Sequence, residues 1–289
     1  MLQQLLKLGL LIPTIALCAS LLLFLQNPLP LQVLRNAAFD QYQRWRPRQD
    51  SATLVRVVDI DEESLRRFGQ WPWPRSRVAE LVTRLQQADA AAIAFDIVFA
   101  EPDRTSPSAM IALWQPPLPV REQLEQLPDH DRQLAAAAGK GRVILGFAIE
   151  SVGRQVLPEA KARFITLGAP AEKFLHGVVG AVPPLPLLQQ AAAGLGAITF
   201  IPDSDGVVRK VPLLVRIGDT LRPSLFAEAL RVAQRAQNYT IRTAADAGLI
   251  EVRIGKLAVP TTAQGETWVH YRRSFADRTI PAWKILAGE

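Results

Sequence analysis

Two short apolar runs of this sequence each end in aspartate, and these acids are the first candidates for chemistry. The run that begins at Val55 ends in Asp59 and Asp61, and the run that begins at Ala91 ends in Asp96. If the runs are neighbouring parallel strands, their carboxyl ends meet at the edge where open α/β sheets bind ligands. Carboxylates there could hold Mg²⁺ or Ca²⁺, bind a cationic ligand, or raise one another's pKa.

Between the two runs lies the segment Trp71-Pro72-Trp73-Pro74-Arg75. Its prolines stiffen the chain, its tryptophans offer broad apolar faces, and Arg75 can form two parallel hydrogen bonds with a carboxylate or phosphate. The sequence therefore predicts a ligand site, and a candidate divalent cation site at its three aspartates. Its residues would be Asp59, Asp61, Trp73, Arg75 and Asp96.

A purely structural interpretation of the same residues is also open. Asp61 stands where a helix N-cap is expected, directly before two glutamates. Asp59 and Asp96 would then pair with Arg75 and with a backbone amide. The aromatic segment would be a loop packed over the edge of the sheet.

A second acidic segment, Asp203-Ser204-Asp205-Gly206, has the composition of a tight turn. Gly206 can supply the positive φ that such a turn needs. A calcium loop of the EF-hand type would need an oxygen ligand at position 207, where valine stands. We therefore interpret Asp203, Asp205, Gly206 and Arg209 as a structural turn.

No catalytic residue is predicted anywhere in this sequence. Nucleotide-binding glycine patterns and the nucleophile motif G-x-S-x-G are absent from the sequence. The histidines at 130, 176 and 270 lack the spacing of a helical zinc site, and the single cysteine, Cys18, permits neither a disulfide nor a cysteine-based zinc site. A divalent-dependent hydrolase built on two carboxylates remains a distant alternative.

The composition excludes one class of partner. The 289 residues are 49% hydrophobic, which is enough for a large core. Lysine and arginine total 33 against 27 acids, but the excess is spread along the chain. Because nucleic-acid-binding proteins gather basic residues on one face, we predict no nucleic-acid partner.

The elements that must position these residues begin with an apolar N-terminal segment. Residues 8–25 contain no charged side chain, and as a helix they would span roughly 27 Å, close to the thickness of a bilayer core. Residues 1–26 are therefore predicted to be an uncleaved transmembrane anchor, with a cleaved signal peptide as the rival interpretation. Residues 27–48 follow as an amphipathic linker helix, with apolar side chains at helical spacing.

Residues 49–289 are predicted to form one sensor domain of the α/β class. Helical patterns alternate with short buried strands, which is typical of a mixed, mainly parallel central sheet flanked by helices. The stretch 101–129 is rich in proline, serine and glutamine. It is predicted to be a long surface loop with one helical turn near Met110.

Several of these segments resemble the second class of CHASE domains, the cyclase/histidine-kinase-associated sensory extracellular domains. The resemblance rests on the order of its motifs and runs from about residue 35 to the end. The motifs are VVDIDEESL at 57–65, WPWPR at 71–75, IAFDIVFAEP at 93–102, GLG at 194–196, DSDGVVRKVP at 203–212 and PSL at 223–225.

The resemblance implies a bacterial signalling receptor anchored in the inner membrane, with its sensor in the periplasm or outside the cell. In such receptors further membrane helices lead to a cytoplasmic output, for example an adenylate cyclase or the histidine kinase of a two-component system. This sequence departs from that pattern by ending at Glu289, and we expect either a fragment of a longer receptor or a truncated gene product. We expect a homodimer and a small-molecule or ion stimulus. A ligand-independent dimerisation module is the alternative.

Overall fold

The computed structural model describes residues 13–18, 20–22, 26, 28–47, 55–150, 156–200, 202–245, 247–271 and 276–289. Two units can be distinguished within the chain. One comprises residues 1–53 with 270–274, and the other comprises residues 54–269 with 275–289.

The described part of the first unit is dominated by helix α1, Leu29–Trp45, which lies within the stretch 27–48 where a linker helix is predicted. Pro28 precedes it and Pro30 stands in its first turn, where the missing amide hydrogen costs no helical bond. None of its side chains is buried. The predicted membrane anchor lies largely outside the described residues, and none of the helices described there has the length and apolar character needed to cross a bilayer.

The second unit alternates helices with short strands. Its helices are α2 (Glu62–Phe68), α3 (Arg75–Gln87), α4 (Pro107–Trp114), α5 (Leu118–Glu125), α6 (His130–Gly139), α7 (Pro186–Ala191), α8 (Leu225–Ala233) and α9 (Ala282–Ala287), with 3₁₀ turns at Ala171–Lys173 and Ala276–Arg278. Its strands are β1 (Val57–Asp59), β2 (Ile93–Val98), β3 (Val143–Glu150), β4 (Arg163–Leu167), β5 (Gly177–Val178), β6 (Gly180–Val182), β7 (Gly194–Ala197), β8 (Lys210–Pro212), β9 (Leu214–Ile217), β10 (Thr220–Pro223), β11 (Asn238–Ala244), β12 (Gly248–Ile254), β13 (Leu257–Pro260), β14 (Glu266–Trp268) and β15 (Thr279–Pro281).

The α/β class and the flanking helices are confirmed, but one mainly parallel central sheet is not. Strands β2, β3 and β7 form a parallel core to which β6 adds antiparallel. A separate four-stranded sheet runs in the order β13-β12-β11-β4, and three smaller groups complete the unit. Among the described ladders, five are parallel and five antiparallel. The later strands are short and separated by tight turns, which favours antiparallel pairing.

The pairing of the first strand also differs from the expectation. Strand β1 pairs in parallel with β15, near the end of the chain, rather than with β2. Strand β2 pairs with β3. The two aspartate-bearing strands are therefore not hydrogen-bonded neighbours, and local sequence order could not reveal this because the partner of β1 lies more than 200 residues away.

Two apolar clusters form the core of this unit. The larger packs α3, α6 and α9 against β2, β3 and β7, and the smaller is centred on β11 and β12. Glu228 of α8 is bonded to Tyr239 of the smaller cluster. Its carboxylate accepts hydrogen bonds from Arg231 at 2.8 and 2.6 Å and from the Tyr239 hydroxyl of β11 at 2.6 Å.

The stretch predicted to be a loop is partly helical. Helices α4 and α5 form a hairpin joined by Gln115, Pro116 and Pro117, with Gln115 in the left-handed region at φ 45°. Its prolines stand before or in the first turns of these helices, where proline is well tolerated. A full helix, α4, stands where a single helical turn was expected near Met110. Pro107 begins this helix and does not interrupt it.

Candidate functional site

Asp61 acts as a helix cap, as the structural interpretation predicted. Its side chain accepts hydrogen bonds from the Ser64 amide at 2.9 Å and from the Ser64 hydroxyl at 2.6 Å. These two bonds hold the pKa of Asp61 below its ordinary value. The carboxylate is thus occupied at the start of α2.

The other predicted ligand residues lie on different elements and differ in exposure. Asp59 ends β1 and Asp96 lies within β2, and both are exposed. Trp73 is 2% exposed and belongs to the larger apolar cluster, where its indole nitrogen donates to the Gly69 carbonyl at 2.8 Å. Across the described ranges, no group of three or more acidic, histidine or cysteine side chains could hold a metal ion. The three-aspartate metal site is therefore not formed.

Arg75 does lie in a polar cluster, but its partners are different acids. Its backbone amide, at the start of α3, donates to the carboxylate of Asp103 at 2.6 Å. Its Nε lies 3.5 Å from Oδ1 of Asp131, and its guanidinium lies over the ring of Phe99 with 4.3 Å between the carbon and the centroid. We call Arg75, Asp103, His130 and Asp131 the Arg75 cluster.

Asp103 is the most fully hydrogen-bonded member of the Arg75 cluster. It follows β2 by five residues and is 6% exposed. Its Oδ1 accepts from the amide and the hydroxyl of Thr105, both at 2.8 Å, and its Oδ2 lies 3.2 Å from Nδ1 of His130. Because His130 directs the same nitrogen toward Thr105 and Asp103, these three side chains do not form a nucleophile, base and orienting acid.

Asp131 is the least satisfied member. Its Oδ2 accepts from the Asp103 amide at 2.9 Å, which ties the loop after β2 to α6. Its Oδ1 and the Nε of Arg75 are buried and have no hydrogen-bond partner within the described residues. An unsatisfied buried polar atom costs free energy comparable to a lost hydrogen bond. A molecule that accepts from Arg75 and donates to Asp131 would remove that cost.

Burial sets the electrostatics of this pair. Burial raises the pKa of Asp131 above its ordinary value, although the Asp103 amide and Arg75 oppose it, and burial lowers the pKa of Arg75. Burial also acts to raise the pKa of Asp103, but the amide of Arg75 and the two bonds from Thr105 outweigh it, so that this pKa is lowered. Asp131 is the carboxyl group of the cluster that most readily takes up a proton.

The Arg75 cluster is joined to the base of the α4–α5 hairpin. Asp129 caps α6 through the Arg132 amide at 3.0 Å, and its other oxygen accepts from the Ser106 hydroxyl at 3.0 Å. The Ser106 oxygen in turn accepts from the His130 amide at 2.9 Å. The residues before α4 and the start of α6 are therefore locked together beside Asp131.

Sequence reasoning found Arg75 but missed Asp103, His130 and Asp131. Asp103 lies directly after the motif at 93–102, and neither it nor His130 nor Asp131 was predicted to belong to the site. The available signal was the pair Asp129 and Asp131 beside His130, directly before a helix that leads into a buried strand. Which of several acids would face Arg75 depends on how the loop after β2 folds back over α3.

The predicted structural turn is present. Arg209, whose side chain is 3% exposed, donates to Asp203 at 3.0 Å and to both oxygens of Asp205 at 2.9 and 2.7 Å. Gly206 has φ 80°, and the hydrogen bonds from Arg209 lower the pKa of Asp205 to about 2. Arg209 thus fastens the turn before β8.

A second buried carboxylate lies elsewhere in the unit, and it is well paired. Glu266 of β14 is 3.0 Å from Nε2 of His176, 2.9 Å from Nζ of Lys210 and 3.2 Å from the Thr262 hydroxyl. The bond from His176 is the main cause that lowers its pKa to about 2, against the effect of burial. This satisfied group stabilises the fold and leaves no open position for a ligand.

Comparison with known proteins identifies the family. No curated protein and no solved structure matches the chain. The family model of the CHASE2 domain, however, matches residues 14–288, nearly the whole sequence. That family consists of extracellular sensory domains of signalling receptors, and the match includes every motif on which the resemblance rested. The chain is therefore a member of the CHASE2 domain family.

Proposed function

We propose that this chain is the extracytoplasmic input domain of a bacterial transmembrane receptor and that its stimulus acts at the Arg75 cluster. The family match over residues 14–288 carries the sensory role. The unsatisfied pair of Arg75 and Asp131 supports the location, because a sensor needs a site whose interactions are completed by its ligand. The receptor is anchored in the inner membrane by residues 1–26, with the sensor in the periplasm.

The stimulus in this proposal is a small polar molecule or an ion. A ligand that offers an acceptor to Arg75 and a donor to Asp131 would satisfy both orphaned atoms. A ligand shifts a two-state domain only if it prefers one of the states. The cluster can provide that preference because the loop after β2 and the start of α6 both depend on Asp103 and Asp131.

The output is a cytoplasmic nucleotide cyclase or protein kinase, reached through membrane helices. This part of the proposal rests on the class of receptor to which CHASE2 domains belong. Within the described part of the chain, the absence of a metal-binding acid group removes the support for a divalent-dependent hydrolase. The sensory role is therefore the one we carry forward.

The ligand site is tested by thermal unfolding of the full chain in detergent against panels of ions, amino acids, hydroxy acids and amides. A ligand at about 100 times its Kd should raise the free energy of unfolding by roughly 2.7 kcal/mol. Asp131→Asn and Arg75→Gln should abolish that increase, whereas Asp96→Asn, at an exposed position, should leave it intact. An increase that survives both cluster variants would place the stimulus elsewhere.

The location is tested by reporter fusions after Glu289. Alkaline phosphatase is active only outside the cytoplasm, so its fusion should be active and a β-galactosidase fusion inactive. The opposite pattern would contradict a periplasmic sensor.

A further inference from the structure

The α4–α5 hairpin exposes an apolar tip. Leu113 and Leu118 are 75% and 71% exposed, the two highest values among the large hydrophobic residues the structure describes. Trp114 and Val120 beside them are 62% and 46% exposed. Scattered single apolar residues on a surface need no explanation, but four within eight positions at one tip form a patch.

This tip also lacks charge. Residues 105–120 contain no acidic or basic side chain. The connection Gln115-Pro116-Pro117 is stiff, because both prolines fix φ. A rigid, uncharged, apolar projection is the composition of the centre of a protein interface, from which charged residues are depleted and in which aromatic residues are enriched.

We propose that the tip of the α4–α5 hairpin is the contact between two copies of this chain. The inference names the surface of the homodimer in the proposed receptor and so rests on that proposal. A two-fold contact needs a patch that matches itself, which a projecting hairpin meets by packing against its own copy. The two short helices of each copy would then form a four-helix arrangement.

The size of the patch fits this partner. A standard contact buries about 800 Å² on each side, a little over half of it apolar. The four exposed side chains supply roughly 500 Å² of apolar surface. The tip therefore provides the apolar centre of one such contact, and the charged side chains of α5 can form its rim.

The charges that follow the tip favour a protein partner over a lipid surface. Arg121 is paired within α5 to Glu125 at 2.7 Å. Residues 121–129 contain this one basic side chain and three acidic ones, Glu122, Glu125 and Asp129. Segments that lie in a membrane interface are rich in lysine and arginine on their polar face. Anionic lipid would repel this hairpin, because its acids outnumber its single base.

The base of the hairpin connects this contact to the Arg75 cluster. Ser106 lies directly before α4 and is bonded to Asp129 and His130 at the start of α6. Movement of the start of α6 on ligand binding would tilt the hairpin and the two copies relative to each other. The dimer contact is thus placed where the state of the sensor can be passed between subunits.

Disulfide cross-linking in native membranes tests the surface directly. Because the sequence has a single cysteine, Cys18→Ser gives a cysteine-free full chain to which Trp114→Cys or Leu118→Cys is added. Mild oxidation should yield a covalent dimer. Leu257→Cys, at a 47% exposed position on β13, is the matched control and should not cross-link. A yield no higher than that of the control would overturn the proposal.

A second variant separates a specific contact from random collision. Leu113→Glu added to Trp114→Cys should lower the cross-linking yield about tenfold, since it places a charge at the centre of the contact. Leu257→Glu in the same background should leave the yield unchanged. Equal yields in the two would refute a contact at the tip. Unfolding curves of these exposed-site variants should match that of the parent.

Lipid is distinguished by a fluorophore attached to the new thiol of the Trp114→Cys variant in proteoliposomes. Quenching of that fluorophore by nitroxide-labelled lipids, without cross-linking, would assign the tip to the bilayer and overturn the proposal. These measurements require no stimulus. Failure of the dimer contact would leave the thermal-shift test standing, and failure of the ligand site would leave the cross-linking result standing.

Discussion

Nε of Arg75 and Oδ1 of Asp131 lie 3.5 Å apart, and neither atom has a hydrogen-bond partner within the part of the chain that the structure describes. The pair attracts electrostatically but lacks the geometry of a hydrogen bond. In a second buried ion pair of the same unit, Arg231 and Glu228, two bonds of 2.8 and 2.6 Å are formed. The Arg231 pair is therefore fully hydrogen-bonded, whereas the facing atoms of Arg75 and Asp131 are left unsatisfied.

Removing the positive charge of Arg75 from its pair with Asp131 should lower the stability of the fold. Arg75→Gln leaves Asp131 buried without its counter-charge, and we expect the free energy of unfolding to fall by about 3 kcal/mol. Arg77→Gln, in the same helix but in an exposed pair with Glu80, should cost at most about 1 kcal/mol. Urea unfolding of the full chain in detergent measures both.

Removing the negative charge of Asp131 should lower the free energy of unfolding less than removing Arg75 does. Asp131→Asn keeps an acceptor for the Asp103 amide and removes a charge whose pKa is raised by burial, so we expect a change of no more than about 1 kcal/mol. Combined with Arg75→Gln it should recover at least about 1 kcal/mol of the loss. Strictly additive effects would show that the two side chains do not interact.

Glu266 should contribute a stabilisation to the folded state that is lost at acidic pH. Its pKa falls from an ordinary 4.5 to about 2, chiefly through the bond from His176. A lowered pKa stabilises the folded state above the unfolded value, and this stabilisation is lost as the pH falls from about 4.5 toward 2. Glu266→Gln should therefore cost roughly 3 kcal/mol at pH 7 and much less near pH 2.

The difference between parent and variant isolates this carboxyl from the others that titrate in the same range. Glu125→Gln, in the exposed pair with Arg121, serves as the control and should change stability by less than about 0.5 kcal/mol at either pH. A penalty for Glu266→Gln that stays constant from pH 7 to pH 2.5 would contradict the lowered pKa.

Two glycines of the second unit should respond oppositely to alanine. Gly206 has φ 80°, and Gly206→Ala should cost about 1 kcal/mol although no atom lies within 4 Å of the new methyl group. Gly139 is the last residue of α6, and its nearest contact would be at 4.0 Å. Gly139→Ala should raise stability by up to about 0.5–1 kcal/mol. Thermal unfolding of both variants, measured together, checks the sign of each.

A third glycine should tolerate no side chain. A Cβ at Gly196 would lie 2.4 Å from the Cα of Leu225, a backbone atom that cannot move away alone. Gly196→Ala should lower the free energy of unfolding by more than about 3 kcal/mol, because β7 and the start of α8 must separate. Normal stability of this variant would show that the two backbones are not in close contact.

Local features of the sequence were sufficient for the elements and for their caps. The cap at Asp61, the helix over Leu29–Trp45 and the turn fastened by Arg209 were all predicted. Each depends on residues within about seventeen positions of one another, and the governing interactions are backbone propensity and short side-chain bonds. The family was likewise recognisable from the order of its motifs.

Long-range pairing was not predictable. The partner of β1 is β15, and the strands divide among several sheets rather than forming one. The apolar pattern of a strand does not identify its partner, because several strands have similar patterns. The packing of the intervening loops and helices decides which of them pair. The ligand site predicted at Asp59 and Asp96 assumed that neighbours in sequence are neighbours in the sheet, and the pairing of β1 with β15 contradicts that assumption.

The sequence by itself thus determined that this protein has a sensory α/β domain, a charge-free N-terminal segment and an arginine set in a stiff aromatic loop. Only the tertiary structure decided which acids face that arginine and that a proline-rich stretch forms a helical hairpin with an exposed apolar tip. The physical reason is distance. Caps and turns depend on bonds between near residues, whereas the environment of Arg75 depends on Asp131, 56 positions away and brought close by packing.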